Sequence, residues 1–119
     1  MEISHIVKNL KDNKQVTNRQ YHYLHGQCRK VVGSLFRRYK LSEILYNPIV
    51  KEDAMDTVTT MSLVKALRQY DPQKKTKFMT YFYFKARSAT EVQQGVAYRR
   101  YRLLNTLNYD EARSKGEHD

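Results

Sequence analysis

Apolar residues recur along this chain at spacings of three and four, and only two prolines, Pro48 and Pro72, interrupt the pattern. That period fits the 3.6-residue turn of an α-helix and not the two-residue alternation of a strand. Four glycines and few β-branched runs agree with it. With 119 residues the chain is the size of one ordinary domain. A chain this short buries only about two thirds of its unfolded surface. It can form a compact core but has little to spare for a deep active-site cavity. The reading is an all-α protein, a compact bundle of three to four helices.

Residues 1–15 read as a short N-terminal helical segment with Ile3, Val7 and Leu10 on one face. Asp12-Asn13 ends it, because both side chains compete for the backbone. A main helical domain, residues 16–107, follows. Thr17, just after Val16, is the expected N-cap of its first helix. The apolar face of that helix is Tyr21, Leu24, Cys28, Val31, Leu35 and Tyr39, widened by Val32 and Phe36. It fades near Lys40, and residues 41–50 read as a connection that could include a helical turn. Asn47-Pro48 biases the backbone away from helix. A second long helix is expected from Lys51-Glu52-Asp53, where acids suit the positive end of the helix dipole. Its inward face reads as Met55, Val58, Met61, Val64, Leu67 and Tyr70, and Asp71-Pro72 stops it. After a polar turn, residues 77–104 make a third long helix, with Phe78, Phe82, Ala89, Val92 and Val96 toward the core. Gly95 costs about 1 kcal/mol against alanine there and marks a candidate bend. Residues 108–119 carry no apolar stripe and read as an acidic, disordered tail.

The net charge is +10, which favours a polyanionic partner. The charge is also unevenly placed. Residues 16–50 hold six bases and one acid, and residues 73–102 hold eight bases and one acid. Between them, residues 51–72 hold three bases and four acids. A single cysteine, Cys28, excludes an internal disulfide and a multi-cysteine zinc site. It fits a reducing, intracellular setting and, lying on an apolar stripe, reads as a buried thiol. No apolar run is long enough to span a membrane, and the first residues do not resemble a secretory signal.

Five aromatics fall within seven residues: Phe78, Tyr81, Phe82, Tyr83 and Phe84. On a helix they point all the way round, so they cannot all be core. Phe78 and Phe82 share one face, Tyr81 and Phe84 another, and Lys77, Lys85 and Arg87 interleave with them. Exposed aromatics among bases stack on unpaired nucleobases while the bases neutralise phosphate. The competing reading is a wide apolar face flanked by lysines whose stems lie along it. Tyr98-Arg99-Arg100-Tyr101-Arg102 repeats the mixture. His22 and His25 share a helix face but have no nearby carboxylate to complete a metal site. No phosphate-binding glycine loop, nucleophile elbow or paired-carboxylate motif is present. Neither an enzymatic reaction nor a cofactor is expected.

Two linked phrases resemble region 2 of bacterial sigma-70 family factors. The first is Lys65-Ala66-Leu67-Arg68-Gln69-Tyr70-Asp71-Pro72, closing a helix with an acidic start. The second is Lys77-Phe78-Met79-Thr80-Tyr81, opening the aromatic tract. Their order, spacing and connecting length agree with that family, and the upstream Arg37-Arg38-Tyr39 matches its preceding helix. The resemblance covers roughly residues 17–102. Met79 stands where the family has serine, Phe84-Lys85 where it has tandem tryptophans, and Ser88 where it has a promoter-reading glutamine. No second helix-turn-helix domain for an upstream promoter element is recognised. In that respect the sequence is most similar to the late sigma factors of tailed phages, although residues 110–119 lack their apolar clamp-binding motif.

The resemblance implies a set of roles. Asp53, Asp56, Thr57, Thr60 and Val64 would dock on the clamp helices of the largest subunit of bacterial RNA polymerase core. Tyr81 and Phe84 would cradle a flipped adenine of the minus-ten element on the non-template strand of promoter DNA, in a pocket lined by Thr76 and Thr80. Ser88 and Glu91 would meet the upstream edge of that element. Lys77, Lys85, Arg87, Arg99 and Arg100 would hold phosphates. A separate co-activator would replace the missing upstream-element domain, and the setting would be the bacterial cytoplasm, with a phage as the source. The implied function is a sigma-like initiation factor that binds core polymerase and melts a minus-ten-type element. Two alternatives stand beside it: a polymerase- or sigma-binding regulator without melting activity, and a helical binder of single-stranded nucleic acid.

Overall fold

The computed structural model describes residues 2–41, 45 and 47–117, and of residues 101, 104–106 and 108–117 it describes the backbone alone. Four helices are present among the described residues, and the architecture is an all-α bundle. They are α1 (Ile3–Lys11), α2 (Asn18–Arg38), α3 (Pro48–Gln69) and α4 (Phe78–Glu117). Helices α2, α3 and α4 pack on one another, and α1 touches all three.

Each start has a local cause. Thr17 caps α2 as expected: its hydroxyl accepts from the Gln20 backbone N–H at 3.1 Å, and the Gln20 side chain accepts from the Thr17 N–H at 3.0 Å. This reciprocal pair satisfies two donors that the helix cannot use internally, a contribution of about 1 kcal/mol. Helix α3 begins earlier than expected. Asn47 caps it by accepting from the N–H groups of Ile49 and Val50, and Pro48 occupies the first turn. Asn-Pro is therefore a start signal here, because proline lacks only an N–H that the first turn leaves unpaired. Residues 42–44 and 46 of the expected connection at 41–50 lie outside the described residues, and with them its candidate helical turn.

The core is built from Ile6 and Val7 of α1, Leu24, Cys28, Val32, Leu35 and Phe36 of α2, Val58, Leu63 and Ala66 of α3, and Phe78, Phe82 and Ala86 of α4. The inward face of α2 is Leu24, Cys28, Val32, Leu35 and Phe36 as expected, whereas Tyr21 is exposed. The face of α3 differs more. Met61 and Val64 point to solvent, and Thr59, Ser62 and Ala66 face inward. Small side chains let α3 approach its neighbours closely, and Thr59 hides its hydroxyl by donating to the Met55 carbonyl at 2.7 Å. In α4, Val92 is 64% exposed and does not join the core, while Ala86 and Thr90 do. Thr90 donates to the Ala86 carbonyl at 2.7 Å.

Helix α4 runs through Gly95 without a break. It also continues past 104 to Glu117, so residues 108–117 carry helical backbone where the sequence suggests a disordered tail. Glu111, Ala112, Arg113, Lys115 and Glu117 of that stretch are good helix formers and favour the helical backbone. Forty helical residues span about 60 Å, and α4 sets the long dimension of the molecule, 69 Å against 26 and 21 Å. Beyond Ala97 every described side chain of α4 is exposed.

Cys28 sits on the buried face of α2 as expected, and burial pushes its thiol up from 9.0 to about 12. The unfolded chain ionises this thiol first, so the contribution is intact below pH 9 and is lost as pH rises from 9 toward 12. Urea titrations at pH 8 and pH 10 are expected to show lower stability at pH 10. The Cys28→Ala variant is expected to show a smaller pH difference.

Candidate nucleic-acid interface

The aromatic tract opens α4, and the α3–α4 connection holds it in place. Tyr70, the last residue before that connection, packs its ring edge-on against Phe78, with centroids 5.3 Å apart, and tilts against Tyr81 at 5.7 Å. Its hydroxyl donates to the Thr76 carbonyl at 2.8 Å. Asp71 turns the chain by accepting from the Gln73 N–H at 2.9 Å. The basic turn Lys74-Lys75-Thr76-Lys77 is exposed as a result.

With Phe78, Phe82 and Ala86 buried, the helical repeat places the remaining side chains in two adjacent outward rows. One row is Thr80, Phe84, Arg87 and Glu91; the other is Tyr81, Lys85, Ser88 and Val92. The expected DNA-contacting residues from Thr80 to Glu91 thus share one side of α4. Phe84 is 55% exposed, and its ring meets only the edge of Tyr83, at 5.6 Å, among the described aromatic contacts. Tyr83 is steadied from α2, where Arg38 Nη1 donates to its hydroxyl at 3.1 Å.

Tyr81 is placed differently from Phe84. It is half-buried, its ring leans on Tyr70, and Lys85 Nζ lies 5.4 Å above its centroid. Its hydroxyl approaches Gln69 Oε1 at 3.4 Å. The pair expected to cradle one base is therefore asymmetric: Phe84 presents an open face, and Tyr81 is already engaged by Tyr70 and Lys85.

Arg87 and Glu91 are drawn together by Tyr39, the C-cap residue of α2. The Tyr39 hydroxyl donates to Glu91 Oε1 at 2.8 Å, while Arg87 Nε donates to the Tyr39 oxygen at 3.1 Å and to Glu91 at 3.3 Å. Gln94 completes the junction by donating to the Tyr39 carbonyl at 2.9 Å. The Tyr39 hydroxyl is the main cause holding the Glu91 carboxyl below its ordinary range, and Arg87 adds to it. The same hydroxyl, then Glu91, holds the Arg87 guanidinium above its own. Arg99 and Arg100 lie further along α4, past the core and away from this junction.

The second predicted set lies on α3. Asp53, Thr57, Thr60 and Val64 are exposed and recur at helical spacing along its outward face, with Ile49, Val50 and Met61 beside them. Asp56 is exposed at the edge of this face and, together with Glu52, forms an ion pair with Arg29 of α2. Arg29 thereby removes part of the negative charge that the sequence alone ascribes to this helix.

The roles of Tyr39, Arg38 and Arg29 are not legible in the sequence. Each contacts a residue more than 20 positions away, and no local pattern announces such pairs. His22 and His25 lie beside Tyr21, and the His25 ring stacks on it at 6.4 Å. No described helix is long and apolar enough to cross a membrane. No family model, curated protein or solved structure matches this chain.

Proposed function

We propose that this chain is a sigma-like transcription initiation factor. In this reading it docks on bacterial RNA polymerase core through the outward face of α3. It then recognises and melts a minus-ten-type promoter element with the outward rows of α4, in the bacterial cytoplasm where that polymerase works. The observation that carries the reading is Phe84: a large aromatic left more than half exposed on a helix dense in bases. An exposed phenyl ring among lysines and arginines suits an unpaired base on its face and phosphates beside it. Such capture offsets part of the unstacking cost and needs no catalytic group.

The docking half is tested by capture of core polymerase with the full chain. Asp53→Lys reverses a charge that takes part in no internal ion pair among the described residues. It is expected to lower capture at least fivefold at low salt, with the effect shrinking as salt rises. Unchanged capture moves the interface off this face, and no capture by the unaltered chain removes the polymerase reading.

Tyr81 supports a second reading. A ring already occupied by Tyr70 and Lys85 suits a chain that docks on polymerase without capturing a base. Promoter-dependent transcription with purified core separates the two: an initiation factor raises it, and a regulator of that kind does not.

A further inference from the structure

Helices α3 and α4 leave a groove between them of about 420 Å³, on the side of α4 that carries Tyr81, Lys85, Ser88 and Val92. This volume lies at the low end of small-ligand sites. The groove has three properties that the bundle itself does not use. First, Ser62 lines it, is 1% exposed, and its hydroxyl has no hydrogen-bond partner. The neighbouring buried hydroxyls of Thr59 and Thr90 both donate to the carbonyl four residues back, whereas Ser62 does not. Second, Met61 and Val92 stand on its two walls, one from each helix, and both are more than half exposed. Third, Lys65 and Lys85 line it and no acid does.

These features select a chemical class. A buried orphan hydroxyl asks for a polar edge, and apolar walls ask for flat, weakly hydrated faces. Two cations ask for negative charge nearby. A nucleobase with its phosphate meets all three demands. An apolar peptide helix would leave the hydroxyl unpaired, which is costly once the groove is covered. We propose that this groove seats one unpaired nucleobase of a single DNA strand. The base lies between Met61 and Val92, the Ser62 hydroxyl turns from the buried floor of the groove to meet its edge, and Lys65 and Lys85 meet the flanking phosphates. This deepens the proposed function by adding a second base-binding position beside Phe84, and it rests on the reading of DNA as the partner.

The test uses the full chain and two short DNA strands of equal length, one of thymidines and one fully abasic, followed by fluorescence polarisation. Phosphates are the same in both, so the difference reports bases alone. In a Phe84→Ala background, which removes the other base-binding ring, the thymidine strand is expected to bind about fivefold more tightly than the abasic one. Met61→Asp in that background is expected to abolish the difference. Ser62→Ala is expected to keep or raise the melting temperature, since it deletes an orphan hydroxyl, yet to reduce discrimination among the four homopolymers. Equal binding of base-bearing and abasic strands by the Phe84→Ala chain overturns the proposal. So does retention of the difference in Met61→Asp. If Met61→Asp instead lowers only polymerase capture, the groove is a protein-docking surface and the proposal is wrong. Loss of polymerase capture by the unaltered chain, with the strand difference intact, would refute the initiation-factor reading and leave the groove assignment standing.

Discussion

Phe82→Ala is expected to cost the fold about 3–5 kcal/mol. The ring is completely buried, one of the two largest such side chains in the core together with Phe36. It belongs to the buried cluster to which all four helices contribute, so its removal leaves a cavity in the shared core. Domains of this size are stable by only about 5–15 kcal/mol, so the loss is a large share of the total. In urea titration the midpoint should fall by a molar unit or more, at a slope of about 1–3 kcal/mol per molar. A midpoint unchanged within error would mean that α4 does not pack through Phe82. The same variant should also expose Cys28 to alkylation sooner, because the thiol becomes accessible when the bundle opens.

Two residues later the expectation reverses. Phe84→Ala removes a ring that is 55% exposed, and its effect on stability should lie within about 0.5 kcal/mol. Its effect on base capture should be large. Stacking contributes about 1–3 kcal/mol per base, which corresponds to a loss of roughly 5- to 150-fold in occupancy of the melted state. The measurement is permanganate reactivity of unpaired thymines on promoter DNA with core polymerase and the variant chain. Normal melting by Phe84→Ala would sink the assignment of the outward row as the capture surface. Tyr81→Ala is the informative comparison. Tyr81 leans on Tyr70 and lies under Lys85, so its removal should lower stability as well as melting, and the two losses can be separated by Phe84→Ala.

Much of the fold is legible in the residue pattern alone. The spacing of apolar residues marks four helical segments, and the cap at Thr17 and the stop at Asp71-Pro72 fall where expected. The reason is that helix periodicity and end signals are local, and local signals survive in a single sequence. The inward face of α3 is not legible in this way. Its pattern places Met61 and Val64 inside, yet Thr59, Ser62, Leu63 and Ala66 are buried there together with the expected Val58. Hydropathy ranks methionine above serine, but close helix packing selects small side chains, and only the neighbouring helices decide which face must be small.

The candidate interface divides in the same way. That the aromatic tract cannot all be core follows from helix geometry alone, and so does the pairing of Phe78 with Phe82. Which of the remaining rings stays open does not follow. Tyr81 and Phe84 look equivalent in sequence, but Tyr70 and Lys85 both engage Tyr81, while among the described ring contacts Phe84 meets only its neighbour Tyr83. The acidic start of α3 (Glu52, Asp53 and Asp56) is visible in the sequence, whereas its pairing with Arg29 is not.

Sequence by itself determined what each segment can do alone: form a helix, begin or end it, and carry a given charge. Tertiary structure decided which side chains remain available once the helices meet. It settled Phe84 as open, Tyr81 as engaged, Arg87 and Glu91 as tied to Tyr39, and Ser62 as a buried hydroxyl without a partner. The physical reason is range. Helix formation is governed by neighbours three or four residues away, while exposure and pairing are governed by residues that the fold brings together from across the chain.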